Sequence, residues 1–236
     1  MKASGGKAIY GASVGILMLE ARFPRIPGDM GNALTWPFPV HYKIVRGASP
    51  DRVVRHQAEG LLDDFIAAAR DLVTDGVDGI TTNCGFLSLF QDELAAAVGV
   101  PVATSSLMQV AMVNRLLPKG RRAGILTISI STLTARHLEK ADVPEGTPVG
   151  STEGGHEFTR AILGNELELD VEVARADNVE AALRLQADNP ELGAIVLECT
   201  NMTPYAADIR SATGLPVFSI ASFVTWFQSG LVPRRY

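Results

Sequence analysis

The sequence predicts an α/β protein made of two pseudo-symmetric, Rossmann-like halves, each a short parallel sheet flanked by helices, with the active site in the cleft between them. Two observations carry this prediction. Short apolar runs alternate with amphipathic stretches, as in β-α units around a parallel sheet. The chain also resembles itself at an offset of 115 residues. Its 236 residues suffice for one large domain or two small ones.

The predicted strands are short aliphatic and β-branched runs, as expected for strands covered on both faces. In chain order they are 14–19, 79–82, 102–104, 123–127, 194–197 and 217–220. Apolar residues at helical spacing predict helices over 59–75, 86–98, 178–187 and 204–213. The segment 22–50 is rich in proline and glycine and predicts a long loop, which in a compact α/β chain is more often functional than idle.

The internal repeat aligns the two cysteines of the chain. Shifting the sequence by 115 residues lays Cys84 on Cys199 without a gap and gives eight identities over the 39 positions from Ile80 to Pro118. Average composition alone gives roughly two or three. We therefore predict a first lobe over 1–105 and about 216–236, and a second lobe over about 106–215, each contributing one cysteine at an equivalent place.

Composition excludes several classes of protein. The formal net charge of −5, without a basic block, argues against a nucleic-acid partner. Two cysteines exclude a disulfide-dense scaffold and a four-cysteine metal site, and the four histidines show no ligand spacing, so no metal is expected and the histidines are placed on the surface or in loops. The sequence contains no phosphate-binding fingerprint, so it does not indicate a nucleotide cofactor. The longest apolar stretch, 8–19, is too short to span a bilayer, so a cytoplasmic protein with reduced thiols and no membrane contact is expected.

Both cysteines directly follow a predicted strand, at the sheet edge where open α/β proteins bind ligands. The helix that follows points its free N–H groups at the same place, so each thiol is expected to have a lowered pKa. Two opposed thiols suit proton transfer at a carbon beside a carboxylate, one removing a proton and the other delivering one. The N–H groups after the cysteines, at Gly85, Phe86 and Thr200, would stabilise the enolate-like intermediate. Two other roles for the cysteines are open: they could be small apolar residues that pack in buried strands, or a redox switch that joins the two thiols in a disulfide.

The segments 81–86, Thr-Thr-Asn-Cys-Gly-Phe, and 196–201, Val-Leu-Glu-Cys-Thr-Asn, resemble the aspartate/glutamate/hydantoin racemase superfamily over nearly the whole chain. The resemblance implies an enzyme without cofactor, usually a homodimer, that holds a small carboxylate substrate between its lobes and uses both cysteines. Glutamate racemases carry Cys-Asn-Thr and Cys-Thr-His at these sites, so the resemblance is to the broader family.

These observations predict an isomerase that inverts the α-carbon of a small carboxylate, an amino acid such as aspartate or glutamate, with Cys84 and Cys199 as the acid/base pair. The alternatives are a maleate-type cis–trans isomerase, a hydantoin racemase, and a non-catalytic small-molecule binding protein. Arg22 or Arg25 could bind a second carboxylate. The residues expected to bind substrate are Asn83, Gly85, Phe86, Thr127, Thr200, Asn201 and Arg22.

Overall fold

Two parallel sheets of four strands organise the protein, in a computed structural model that describes residue 2 and residues 4–234. The first sheet has the order β2-β1-β3-β4 and the second the order β6-β5-β7-β8. The strands are β1 (Val14–Leu19), β2 (Val40–Val45), β3 (Gly79–Thr82), β4 (Val102–Ala103), β5 (Arg122–Thr127), β6 (Val149–Ser151), β7 (Leu192–Leu197) and β8 (Val217–Phe218). The predicted α/β fold of two similar parallel sheets is confirmed.

Helices cover both sheets. The α-helices are α1 (Pro50–Val54), α2 (Leu62–Asp75), α3 (Gln91–Ala97), α4 (Val110–Leu116), α5 (Ala135–Glu139), α6 (Phe158–Leu163), α7 (Val171–Asp188), α8 (Ala206–Thr213) and α9 (Ile220–Leu231). Short 3₁₀ helices cover Ala33–Thr35, Gly85–Phe90, Ser106–Gln109 and Thr200–Tyr205. In α2 the residues Phe65, Ala69 and Leu72 form the buried stripe that the helical spacing predicts.

The repeat seen in the sequence reappears in the structure at the same offset. The 3₁₀ helix Gly85–Phe90 corresponds to Thr200–Tyr205, and the two-residue strand β4 corresponds to β8. Each of these 3₁₀ helices begins directly after a cysteine, and each leads into an α-helix, α3 or α8. The gapless alignment of the cysteines therefore reflects two copies of one β-α-β unit.

Two strands are absent from the sequence-based prediction. The segment 22–50 is not one long loop, since it contains a 3₁₀ helix and β2. β2 is an edge strand with polar, half-buried residues such as His41 and Lys43, so it lacks the apolar run that marks the inner strands. β6 has three residues and also lies at an edge, where pairing on one side only leaves no strong pattern.

The chain crosses between the lobes after β8. β8 pairs with β7 in the second sheet, whereas α9 packs Ile220, Phe223 and Val224 against Val14 and Ile16 of the first. The predicted return to the first lobe at about residue 216 therefore begins with α9. The lobe boundaries as separate folding units stay a prediction, and residues 1, 3, 235 and 236 of the predicted first lobe lie outside the described residues.

Across residue 2 and residues 4–234, no helix is both long and apolar enough to cross a membrane. The cytoplasmic location stays a prediction.

Candidate active site

Both cysteines lie just beyond the carboxyl ends of inner strands. Asn83 extends β3 by donating its N–H to the carbonyl of Leu17 at 3.0 Å, and Cys84 follows it. Glu198 extends β7 by donating its N–H to the carbonyl of Leu126 at 2.9 Å, and Cys199 follows in turn. Each thiol therefore lies at the carboxyl edge of its own sheet, where open α/β proteins bind ligands. They are free, buried, and part of one apolar cluster that spans both lobes.

A single pocket contains both cysteines. Its apolar wall comes from both lobes, and its polar residues come from the two cysteine loops. It is lined by Leu19, Phe23, Pro50, Val54, Asn83, Cys84, Gly85, Phe86, Ile128, Ile162, Leu163, Glu198, Cys199, Thr200 and Asn201. The pocket is therefore built by the two copies of the repeat facing each other.

Two close contacts fix the spacing of the cysteine loops. The hydroxyl of Thr200 donates a 2.6 Å hydrogen bond to the carbonyl of Asn83, which ties the second loop to the first. Gly85 packs so tightly on Glu198 that a Cβ at position 85 would overlap both the carboxyl and the carbonyl oxygen of Glu198. The glycine that the sequence places beside Cys84 is thus required by the close approach of Glu198.

The expectation that the thiols have lowered pKa values is wrong. Burial, and next the negative charge of Glu198, raise the pKa of Cys84 to about 12, although the N–H groups of Phe86 and Leu87 and the Arg25 charge lower it. Burial and then Glu198 also raise the pKa of Cys199 well above its ordinary value, and Asp29 adds to the effect. A 3₁₀ helix of six residues offers few free N–H groups to stabilise a thiolate, so the effect of burial on the thiol pKa is larger than theirs.

Glu198 is the functional candidate that the sequence reasoning missed. Its side chain is fully buried, and Oε2 accepts a 2.7 Å hydrogen bond from the hydroxyl of Thr127. Oε1 has no hydrogen-bond partner among the described residues. Burial raises the pKa of Glu198 to about 7, against the lowering effects of the Thr127 hydroxyl and the Ile128 N–H. The signal was an acid directly after the apolar run of β7, at the end of a buried strand.

A chain of polar contacts supports the second cysteine loop from the first lobe. The Cys199 thiol lies 3.6 Å from Oδ1 of Asn201, whose amide donates to Oδ2 of the buried Asp29 at 2.5 Å. Asp29 Oδ1 in turn accepts a 2.8 Å bond from Arg25, whose guanidinium lies 4.7 Å above the ring of Phe23. Arg25 therefore acts behind the pocket wall and holds Asp29 in place.

The predicted site residues separate into two groups. The pocket is lined by Asn83, Cys84, Gly85, Phe86, Cys199, Thr200 and Asn201. Thr127 stands behind Glu198 and bonds to it, outside this lining. Arg22 is exposed, and its backbone N–H donates to Asn165, so its side chain is not part of the pocket wall. Which of these residues bind substrate stays a prediction.

His137 corrects the expectation that the histidines lie on the surface. It is fully buried, and its ring meets the ring of Phe86 edge-on at 4.9 Å. Burial lowers its pKa to about 4. It therefore packs behind the pocket as a neutral ring.

Within residue 2 and residues 4–234, no three side chains of the types His, Cys, Asp or Glu are arranged to hold a metal ion.

No protein-family model matches the chain. Curated relatives do match over almost its full length. A dimethylsulfoniopropionate lyase from Durusdinium sp. clade D is 28% identical over 228 residues, covering 94% of this chain and 75% of that protein. Dimethylsulfoniopropionate lyase 7 from Emiliania huxleyi is 26% identical over 238 residues, covering 93% of this chain and 67% of that protein.

Solved structures share the fold at low identity. A variant of arylmalonate decarboxylase in a sulfate-associated form has a TM-score of 0.63 at 17% identity and covers 92% of each chain. A glutamate racemase isoform from Bacillus anthracis has a TM-score of 0.63 at 16% identity, covering 94% of this chain and 81% of that one. An allantoin racemase from Klebsiella pneumoniae has a TM-score of 0.62 at 18% identity, covering 93% of this chain and 88% of that one. This chain shares the fold of these three structures.

These findings confirm the resemblance at the level of the fold and correct the predicted reaction. The prediction of an aspartate or glutamate racemase is wrong, because the curated relatives are named as lyases of a different substrate. The alternatives of a hydantoin racemase and a maleate-type isomerase fall with it. An enzyme is supported over a binding protein, since the curated relatives are named as enzymes. The isomerase class is not confirmed.

Proposed function

We propose that this chain is a lyase that eliminates dimethyl sulfide from dimethylsulfoniopropionate and leaves acrylate. The observation that carries the proposal is the single pocket lined by two thiols and a buried carboxyl. The name shared by the curated relatives supports the choice of substrate. The proposed substrate is a small carboxylate with a dimethylsulfonium group on its β-carbon.

The elimination begins with the step expected of a racemase. A thiolate removes the proton from the carbon beside the carboxylate, and negative charge develops on that carboxylate. A racemase would then return a proton to the opposite face. Here the electron pair instead forms the carbon–carbon double bond, the bond from the β-carbon to sulfur breaks, and dimethyl sulfide departs as a neutral molecule. One fold therefore serves both reactions, and the group on the β-carbon decides the outcome.

We assign the base to Cys84. Burial and Glu198 raise the pKa of both thiols, but the N–H groups of Phe86 and Leu87 and the charge of Arg25 favour the Cys84 thiolate. At Cys199 the charges of Cys84 and Asp29 raise the pKa further, and one N–H, from Asn201, opposes them. The same N–H groups after Cys84 are suited to stabilise the carboxylate as charge develops on it. Cys199 then forms the opposite wall of the pocket and positions the substrate.

Product detection tests the proposal. The purified protein, incubated with dimethylsulfoniopropionate, should release dimethyl sulfide into the headspace and acrylate into solution in equal amounts. Cys84→Ala should abolish the release of dimethyl sulfide while keeping the melting temperature within a few degrees of wild type. Cys199→Ala should reduce the release of dimethyl sulfide to a smaller extent. No release above the protein-free control by a folded wild-type protein would refute the proposed function, and full release by Cys84→Ala would refute the assignment of the base.

A homodimer stays a proposal of its own, and sedimentation velocity of the full chain would test it.

A further inference from the structure

Glu198 is a buried carboxyl with one oxygen left unsatisfied. Its side chain has no solvent exposure, and an ionised carboxylate in such a place is costly unless it is paired. The Thr127 hydroxyl donates to Oε2, whereas Oε1 has no partner among the described residues. Buried polar atoms in proteins almost always have a partner, so we expect Oε1 to interact with a group that is not part of the chain.

The free oxygen lies at the junction of the two cysteine loops, beside the pocket. Glu198 lines it, and its Oε1 lies against Gly85, the residue after Cys84 on the opposite lobe. No Lys, Arg or His is among the residues that line this pocket. Arg25, the basic residue nearest in the polar chain behind the wall, is already bonded to Asp29. Nothing in the described pocket can therefore neutralise an ionised Glu198.

The rest of the pocket wall is mostly apolar. Leu19, Val54 and Ile162 form part of its wall together with the rings of Phe23 and Phe86. Aromatic faces and alkyl groups accommodate the methyl groups of an onium ion, and a ring face attracts its positive charge. A carboxylate beside such a wall is suited to a cation that carries methyl groups instead of N–H donors.

We propose that Glu198 is the counter-ion for a methylated onium head group, and that the pocket selects a zwitterion with one carboxylate and one such cation over neutral or dicarboxylate ligands. The inference rests on the proposed function for the identity of the cation, a sulfonium. It predicts binding of other methylated cations of the same shape, and so it can be tested without turnover.

Pairing of this kind also affects the thiols. The groups that face Glu198 are Cys84 and Cys199, and the charge of Glu198 raises the pKa of both. Asp29 adds to this at Cys199, and Arg25 opposes it at Cys84. A cation beside Glu198 offsets its charge, so an onium ligand would make the Cys84 thiolate easier to form. A neutral ligand of the same shape would not.

Titration calorimetry with two probes tests the inference. β-Alanine betaine carries a trimethylammonium group in place of the sulfonium, and its carbon isostere has the same shape and carboxylate without the positive charge. Wild-type protein should bind the betaine at least about tenfold more tightly than the isostere at pH 8. In Glu198→Gln, which keeps the size of the side chain, this preference should disappear. An equal preference in both proteins would overturn the proposal.

The pH dependence supplies a readout that a purely structural role would not move. Only ionised Glu198 pairs with the cation, and its pKa is about 7, so betaine affinity should fall as the pH drops below 7. The isostere should show no such fall. Thr127→Val removes a hydrogen bond that lowers this pKa, so it should shift the transition to higher pH. An unshifted transition in Thr127→Val would overturn the proposal even if Glu198→Gln failed to fold.

The outcomes separate this inference from the proposed function. Betaine selectivity that depends on Glu198, without any dimethyl sulfide release, would refute the lyase and leave the onium site standing. Dimethyl sulfide release with an unchanged KM in Glu198→Gln would refute the onium site and leave the lyase standing. If both hold, Glu198→Gln should raise KM with a smaller effect on kcat, because the cation is lost as dimethyl sulfide leaves.

Discussion

Replacing Gly85 by alanine tests whether the close approach of the two cysteine loops is required. The added Cβ would lie well inside 3.0 Å of both the carboxyl and the backbone carbonyl of Glu198. Rotating the Glu198 side chain cannot relieve the contact between the new Cβ at position 85 and the backbone carbonyl of Glu198. The loops must therefore separate, by about 1 Å if an ordinary contact is to be restored.

The expected cost follows from that displacement. Overpacking of this kind destabilises proteins by about 1–3 kcal/mol. In a chain of this length each kcal/mol lowers the melting temperature by about 2–4 °C, so a loss of about 2–12 °C is expected. A displacement of about 1 Å at reacting groups costs on the order of 100-fold in rate. The lyase rate should therefore fall further than the stability change alone explains.

Thermal unfolding by circular dichroism and dimethyl sulfide release measure the two effects. Gly99→Ala is the matched control, since a Cβ at Gly99 meets nothing within 4 Å and that variant should resemble wild type in both assays. A Gly85→Ala protein with wild-type melting temperature and a rate within twofold of wild type would refute the reasoning.

Three further predictions concern buried polar groups. Burial raises the pKa of Asp177, but N–H bonds from three consecutive residues, 156–158, outweigh it and lower that pKa overall. Asp177→Asn should cost about 1–3 kcal/mol in urea unfolding at pH 7, and the difference from wild type should shrink as the pH falls through the lowered pKa. A constant difference down to about pH 3 would contradict this prediction. Thr200→Val leaves the Asn83 carbonyl without its 2.6 Å bond and should cost about 1–3 kcal/mol, whereas unchanged urea unfolding would show that the bond is not needed. Burial lowers the pKa of His137 to about 4, so the unfolded chain takes up this proton at a higher pH than the folded one. Up to about 3 kcal/mol of the free energy of unfolding should therefore be lost as the pH falls from about 6.5 to 4. His137→Gln should make the free energy of unfolding depend less steeply on pH in this range, and an equally steep dependence would assign the loss to other groups.

The sequence predicted the inner strands well because they are buried on both faces. β1 and β3 have the predicted bounds, and β5 and β7 start one and two residues earlier than predicted. β2 and β6 escaped detection because edge strands of mixed polarity lack a continuous apolar run. The cysteine pair could be located because the duplicated unit repeats without insertions between β3 and β4 and between β7 and β8.

The chemistry of the site was less predictable. Glu198 is adjacent to Cys199 in the sequence, but its contact with Gly85 joins two lobes and depends on tertiary packing. The raised pKa values of the thiols have the same origin, because burial is not visible in a local motif. The predicted racemase reaction was wrong, and the proposed elimination shares with it the removal of the α-proton and differs only in what the substrate carries on its next carbon.

The most direct test of the central claim uses dimethylsulfoniopropionate with two deuterium atoms on its α-carbon. Removal of an α-proton by a thiol and loss of the β-sulfur predicts acrylate that keeps one deuterium on that carbon, released together with dimethyl sulfide and seen by NMR. Attack of a thiol or of water on the β-carbon would also release dimethyl sulfide, but its product would keep both deuterium atoms and lack the double bond. Acrylate with one deuterium is the expected result, and a saturated product with two would contradict the account.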